Sequence, residues 1–330
     1  MKRSRPLSIL LQLLGAALAL GLAAWMVLRL DDRAALAGVF REALRRPAWL
    51  AAGFAAMGVS LALGTARWRL LLRAFEVPLP RREAWRLYLA GHFLSIFAAG
   101  STGGDVAKAA IVAARFPGRR MRGILSIVVE RAIGLLCLTF PLAIACLLLL
   151  GRPGTQTALR ASGVAMALLV VGDIAWIALF LPDWSPRLGR SRNAALRRLA
   201  APLGLCRSAL LGDRAATNGA GDLSIANHVV AAFCGAALAR AAGAEVALVP
   251  AMAAMLLANA VALIPVTPGG LGLRESCAAA LLVSLGADEA RATAAGLLLF
   301  GIIVAWAAIG AVAWFALPRS ADASASSASD

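Results

Sequence analysis

The chain has 330 residues, of which 61% are hydrophobic and 15% charged, with a formal net charge of +16 and a mean hydropathy of +0.80. A soluble domain of this size cannot hide so much apolar surface, so lipid must serve as solvent for much of it. Nearly all the positive charge is arginine. With no nucleic-acid-binding module and no basic stripe interleaved with aromatics, nucleic acid is excluded as a partner. The charge is read instead as the positive-inside signal and as attraction to anionic lipid headgroups.

In chain order, the first element is Lys2-Arg3-Ser4-Arg5 followed by an apolar run to Leu28. That run is longer than a signal-peptide core of about 7–15 residues and no clear cleavage site closes it, so it is expected to be a retained membrane helix. Further membrane segments are expected at about 47–64, 84–98, 123–150, 161–181, 224–240, 248–264 and 292–316, eight with the first. Between them, 29–46 carries Arg33, Arg41, Arg45 and Arg46 and reads as amphipathic and interfacial. The longest polar connection, 183–222, is arginine-rich and is expected to form surface helices on the cytoplasmic side. The Ser/Ala-rich end, 318–330, reads as a disordered tail behind a transmembrane domain of residues 1–317.

Two stretches do not behave as ordinary loops: 100–115 (GSTGGDVAKAAIVAAR) and 267–285 (TPGGLGLRESCAAALLVSL). Each opens on a Gly-Gly turn and continues as an apolar helix too short to span. Such broken helices are tolerated at membrane depth only when packed in protein or lining a cavity. If the first is a re-entrant hairpin from the cytoplasmic side and the second one from the opposite side, most basic residues fall inside, and both termini are cytoplasmic. Under that scheme 84–98 and 248–264 enter the membrane and stop part-way. The expected fold is therefore all-α, a polytopic membrane bundle with two re-entrant hairpins related as an inverted repeat.

The hairpins also match in their charges. Gly103-Gly104 is followed four residues on by Lys108, and Gly269-Gly270 at the same offset by Arg274. A cation one turn into a helix opposes the macrodipole, so an anion at each helix start would satisfy both amides and cations. The alternative is that the glycines are packing points and the cations pair with Asp105 and Glu275. Glu130-Arg131 lies about two turns inside 123–150, where a charge costs about 2.5–3.5 kcal/mol and must face a partner. Arg131 either joins the anion site, oriented by Glu130, or forms a structural ion pair or snorkels. Asp173 is a proton or cation partner or a helix-to-helix hydrogen bond.

Catalytic patterns are missing from the sequence. Gly100-Ser101-Thr102-Gly103-Gly104 lacks the P-loop spacing and no strand precedes it. No nucleophile elbow, HExxH or paired-carboxylate pattern occurs, so the chain is not expected to be an enzyme. Cys137, Cys146, Cys206, Cys234 and Cys277 are scattered, and His92 and His228 lie far apart. Neither set has metal-ligand spacing, and no cofactor or metal is expected.

At these residues the chain resembles the transmembrane, flippase-like region of lysylphosphatidylglycerol synthases. The carrying stretches are Gly91–Lys108 (GHFLSIFAAGSTGGDVAK), Ser126–Gly134 (SIVVERAIG) and Asn259–Glu275 (NAVALIPVTPGGLGLRE). The third is the most specific, through Pro265, Pro268, Gly269-Gly270, Gly272, Arg274 and Glu275. The resemblance runs over about 7–317. It departs where relatives carry a proline-glycine pair before the first GGD, here Ala99-Gly100-Ser101-Thr102. Glu130-Arg131 stands for Asp-Arg, and Lys108 for arginine, which removes a bidentate grip on phosphate.

The resemblance implies movement of a lipid headgroup or lipid-linked intermediate between leaflets of a bacterial inner membrane. The expected partner is a phospholipid or a polyprenyl-phosphate-linked lipid, met by Lys108, Arg131, Arg274 and the two glycine pairs, with Asp105, Glu130 and Glu275 in support. Bifunctional relatives attach an aminoacyl-transferring domain after the membrane part. Only a short tail follows here, so aminoacylation by this chain is not expected. A second reading is a non-transporting partner that presents lipid to a separately encoded transferase docked on 183–222. A membrane-embedded lipid-modifying enzyme is a third.

Overall fold

The computed structural model describes residues 33–97, 103–149, 156–180, 182–262 and 272–315, with Gly21, Ala24 and Leu28 before them. The expected first span at 7–28, the turns at Ala99–Thr102 and Gly269-Gly270, and the tail 318–330 lie outside these residues. Every regular element among the described residues is helical. The helices are α1 (Arg33–Leu44), α2 (Pro47–Ala74), α3 (Arg81–Phe97), α4 (Gly103–Arg115), α5 (Arg120–Leu149), α6 (Gln156–Phe180), α7 (Ser185–Gly189), α8 (Ala194–Gly212), α9 (Arg214–Ala241), α10 (Leu248–Val261), α11 (Leu273–Ser284) and α12 (Glu289–Phe315). A single 3₁₀ turn, Pro117–Arg119, leads into α5.

Four of these are long and apolar enough to cross a bilayer: α2, α5 together with its leading turn, α9 and α12. The paired arms α3–α4 and α10–α11 are shorter. At 1.5 Å per residue, the 17 and 13 residues of the first pair and the 14 and 12 of the second give about 25, 20, 21 and 18 Å, short of a hydrocarbon layer of about 30 Å. Side chains such as Val171, Ile174, Phe140, Leu147 and Val312 stay exposed, as they would against lipid rather than water. Hydropathy placed the end of the second segment at 64, but α2 continues to Ala74. The polar connection 183–222 likewise ends early, since α9 begins at Arg214.

The longest shared interface is between α2 and α9, which lie side by side and antiparallel. Gly53 faces Cys234 and Leu238, Ser60 bonds Asn227, Arg67 meets Ser224, and Arg73 meets Asp213. Both helices have 28 residues, and Ser60 and Asn227 are 167 positions apart, the same separation as the starts of the two helices. The equivalence extends outward. Where α3 packs on α12, α10 packs on α5; α4 lies on α5 as α11 lies on α12; α1 touches α12 as α8 touches α5. Two halves, α1–α5 and α8–α12, thus repeat one arrangement, and antiparallel pairing of α2 with α9 is what a two-fold axis across these helices produces.

Small residues set the crossings. A Cβ on Gly104 would lie 2.0 Å from the Gly91 carbonyl oxygen, one on Gly310 2.3 Å from that of Leu89, and one on Gly235 2.4 Å from the Met255 sulfur. Apolar lipid tails give little drive for helices to associate, so close backbone approach supplies the dispersion contacts instead. Much of the core is accordingly alanine, including Ala236, Ala237, Ala254, Ala258, Ala278 and Ala294.

Candidate functional site: an ion-pair cluster between α2, α4 and α5

Three helices bring five charged side chains together. On α4, Asp105 and Lys108 are three residues apart and so share a face, with Nζ 3.0 Å from the Asp105 carboxylate. From α5, the buried Glu130 takes hydrogen bonds from Lys108 Nζ at 3.2 Å and from Arg67 of α2 at 2.9 Å. Arg67 also donates to Ser224 Oγ of α9 at 3.2 Å, while its Nε is buried with no hydrogen-bond partner among the described residues. Asp105 turns its second oxygen to the guanidinium of Arg131. The result is a chain, Arg67–Glu130–Lys108–Asp105–Arg131, of three cations and two carboxylates.

The local sequence makes room for it. Lys108 Nζ stands 5.0 Å from the ring centre of Trp68 and 4.8 Å from that of Tyr88, so two aromatic faces replace part of its lost hydration. Gly64 is required there because a Cβ would lie 2.1 Å from the Tyr88 hydroxyl oxygen, and Gly134 lets Arg67 Nη1 pass at 3.2 Å from the same notional position. Trp68 is fixed in turn by donating Nε1–H to Ser126 Oγ, whose own hydroxyl donates to the Gly123 carbonyl. Burying charges is costly unless each is paired, and here each carboxylate meets two cations.

Arg131 differs from the others. Its side chain is 57% exposed, against 2% for Glu130 and 6% for Lys108. From Arg131 to Leu149 the helix rises about 27 Å, close to the thickness of the hydrocarbon layer. From Pro47 to Arg67 the rise is about 30 Å. The cluster thus lies about one hydrocarbon thickness from the far ends of both helices, with Arg131 at its open end and Lys108 sealed behind.

Several expectations change at this point. Glu130 does not orient Arg131: consecutive helical residues point about 100° apart, so Glu130 faces Arg67 and Lys108 while Asp105 holds Arg131. Gly104 is consumed by contact with Gly91 and Ser95 and is a packing point; Gly103 beside it is buried. Glu275 reaches back to the Gly272 N–H at 2.5 Å and caps α11. Gly272 itself has φ +79, which favours glycine. Arg274 lies within electrostatic reach of His92 on α3 and of Cys234 on α9. Gly91, the residue before His92, adjoins Lys108, whose Cδ would be 3.4 Å from a Cβ placed there.

Arg67, Trp68 and Tyr88 are not among the sequence candidates, because the apolar segment is expected to end at 64. The signal was present: Arg67-Trp68 continues the helical spacing of Leu61 and Gly64, and Tyr88 is the single tyrosine. Asp173 accepts from Thr139 Oγ1 at 2.7 Å, joining α5 to α6. His228 Nε2 lies 2.8 Å from the Gly134 carbonyl, a bonded packing position. The five cysteines are free thiols.

Membrane-length helices arranged as two like halves, with a charged cluster at one edge of the apolar layer, define an integral membrane protein of the polytopic α-helical class. Residues 12–311 match the family described as "Lysylphosphatidylglycerol synthase TM region", and the chain belongs to that family. No curated protein and no solved structure matches it. Family membership ties the fold to a membrane-lipid-related function.

Proposed function

We propose that the protein binds an anionic, phosphate-bearing lipid at Arg131 and carries its headgroup between leaflets of a bacterial inner membrane, without itself catalysing a covalent reaction. The observation that carries this reading is the half-exposed Arg131 guanidinium, which Asp105 joins to a buried cluster whose five charged side chains carry an excess of one positive charge. A phosphodiester can take the place of Asp105 on Arg131 with little change in local charge. Lys108, Glu130 and Arg67 then act from behind as positioning residues. The short arms α3–α4 and α10–α11 support re-entrant hairpins from opposite sides, and the repeated halves support alternating exposure of the two. Arg67, Arg69 and Arg73 near the end of α2 and the arginines on and between α7 and α8 support a topology with both termini in the cytoplasm.

The test is headgroup translocation in vesicles containing a fluorescent phosphatidylglycerol, read by quenching of the outer leaflet. Arg131→Gln is expected to slow movement about tenfold or more, the worth of a hydrogen bond to a charged group. Unchanged rates in Arg131→Gln and Asp105→Asn together would sink the reading. A second reading, presentation of lipid to a separate transferase, is favoured by the exposed arginines Arg187, Arg190, Arg192, Arg197 and Arg198 on and between α7 and α8. Co-purification of a soluble enzyme that is lost on their neutralisation, with no translocation in vesicles, would select it.

A further inference from the structure

On the other side of α2 from the ion-pair cluster lies a cavity of about 550 Å³. Arg67 faces inward, whereas Arg69, two residues on, faces about 200° away. The cavity rim carries Arg69 and Arg73 of α2 and Arg119 of the turn before α5, with Glu76 as the rim's acid. Glu76 is already engaged, since its backbone carbonyl accepts from Arg119 and its carboxylate from Arg122; Arg73 in turn is paired with Asp213, so Arg69 is the rim cation with the least prior engagement. Below the rim the walls are apolar: Leu70, Val77, Pro78, Leu79 and, from α9, Leu223.

The end of α2 makes this wall stiff. Phe75 caps the helix, Glu76 adopts φ +57, and Val77 N–H returns to the Leu72 carbonyl at 2.8 Å. That is the six-to-one bond of a Schellman turn, with glutamate in the left-handed position usually taken by glycine. The turn brings Val77–Leu79 into the cavity lining. From Pro47 to Arg69 the helix rises about 33 Å, a little more than a hydrocarbon layer of about 30 Å, which sets Arg69 at headgroup level.

We infer that this cavity is a fixed binding site for an anionic phospholipid of the arginine-rich leaflet, its phosphate among Arg69, Arg73 and Arg119 and the start of its acyl chains against the apolar wall. A free phosphate would use the rim and leave the wall bare, and a zwitterionic lipid would bring its own cation to a positive rim. The size suits a glycerophosphate headgroup, within the ordinary range of ligand pockets. The site is separated from the cluster by the body of α2 and does not depend on translocation.

The test uses the purified full chain in mild detergent and counts retained lipid by native mass spectrometry as phosphatidylglycerol is titrated against phosphatidylcholine. Wild-type protein is expected to retain one phosphatidylglycerol in preference to phosphatidylcholine. Arg69→Gln should weaken that preference about fivefold and Arg69→Gln/Arg73→Gln about 25-fold, from about 1 kcal/mol per interfacial arginine. Arg69→Lys should retain most of the preference, and Arg190→Gln, an exposed arginine on α7's C-terminal side, should leave it unchanged. Equal retention in wild type and the double variant overturns the proposal. So does displacement of the lipid by millimolar inorganic phosphate, which would make the rim a free-anion site.

Discussion

Ser60 Oγ donates to Asn227 Oδ1 at 2.7 Å, at the place where a residue of α2 meets its own counterpart in α9. Thirteen residues separate Pro47 from Ser60, and Arg214 from Asn227, so the bond lies near the middle of both helices. A residue that faces its equivalent marks a two-fold axis. On one side of it lie Arg67 and the ion-pair cluster; on the other lie Gly53 and Cys234.

The central bond is expected to contribute a modest, measurable part of stability. Polar bonds between membrane helices average about 0.6 kcal/mol and reach about 1.7. Ser60→Ala and Asn227→Ala should each lose that much, and the double variant little more than either. A full double-mutant cycle by unfolding in mixed detergent reads the coupling, and strict additivity would show that the two side chains do not interact.

Glu130 joins two buried cations, so Glu130→Gln leaves both undercompensated. The expected loss is about 3–5 kcal/mol, as when one partner of a buried pair is removed. Replacing Lys108 as well, in Glu130→Gln/Lys108→Met, should recover part of it, because the second change removes a stranded charge. A Glu130→Gln protein as stable as wild type would place the cluster in contact with water.

Glycine substitutions should separate packing points from open ones. At Gly104 an added methyl meets the Gly91 backbone oxygen, which cannot swing aside as the end of a long side chain can. Gly104→Ala is expected to cost about 1–3 kcal/mol or more. Gly301, in the middle of α12 with nothing within 4 Å of its notional Cβ, should instead accept alanine with a gain of about 0.5–1 kcal/mol. Thermal unfolding of the two variants side by side distinguishes them.

α9 separates the exposed Arg190 from Glu245, whose side chain is 88% exposed between α9 and α10. Cysteines placed singly at these two positions, in a background lacking the natural five, should react with an impermeant reagent from opposite sides of sealed vesicles. Labelling of both from one side would mean that α9 does not cross.

Gly104 and Glu275 show how far the sequence could be read. Both were considered as parts of an anion cradle, with packing or pairing as the alternative, and the structure uses Gly104 for helix contact and Glu275 for a cap on its own helix. Their local sequence is compatible with either role. The divergent faces of Glu130 and Arg131, by contrast, follow from helical geometry alone. Arg67 was lost because hydropathy falls at Ala66–Arg69 although the helix goes on.

By itself the sequence determined the class of protein, the order of its long apolar helices, the matched Gly-Gly stretches, and the need of Lys108, Glu130 and Arg131 for partners. Those follow from quantities local to the chain: apolar length, turn residues, and the cost of a charge in hydrocarbon. Only the tertiary structure decided that Glu130 serves Arg67 and Lys108 and that Asp105 holds Arg131. Which charges meet depends on which helices abut and in what register. That is settled by small residues such as Gly64, Gly91 and Gly104, which let helices distant in the sequence come close beside these groups.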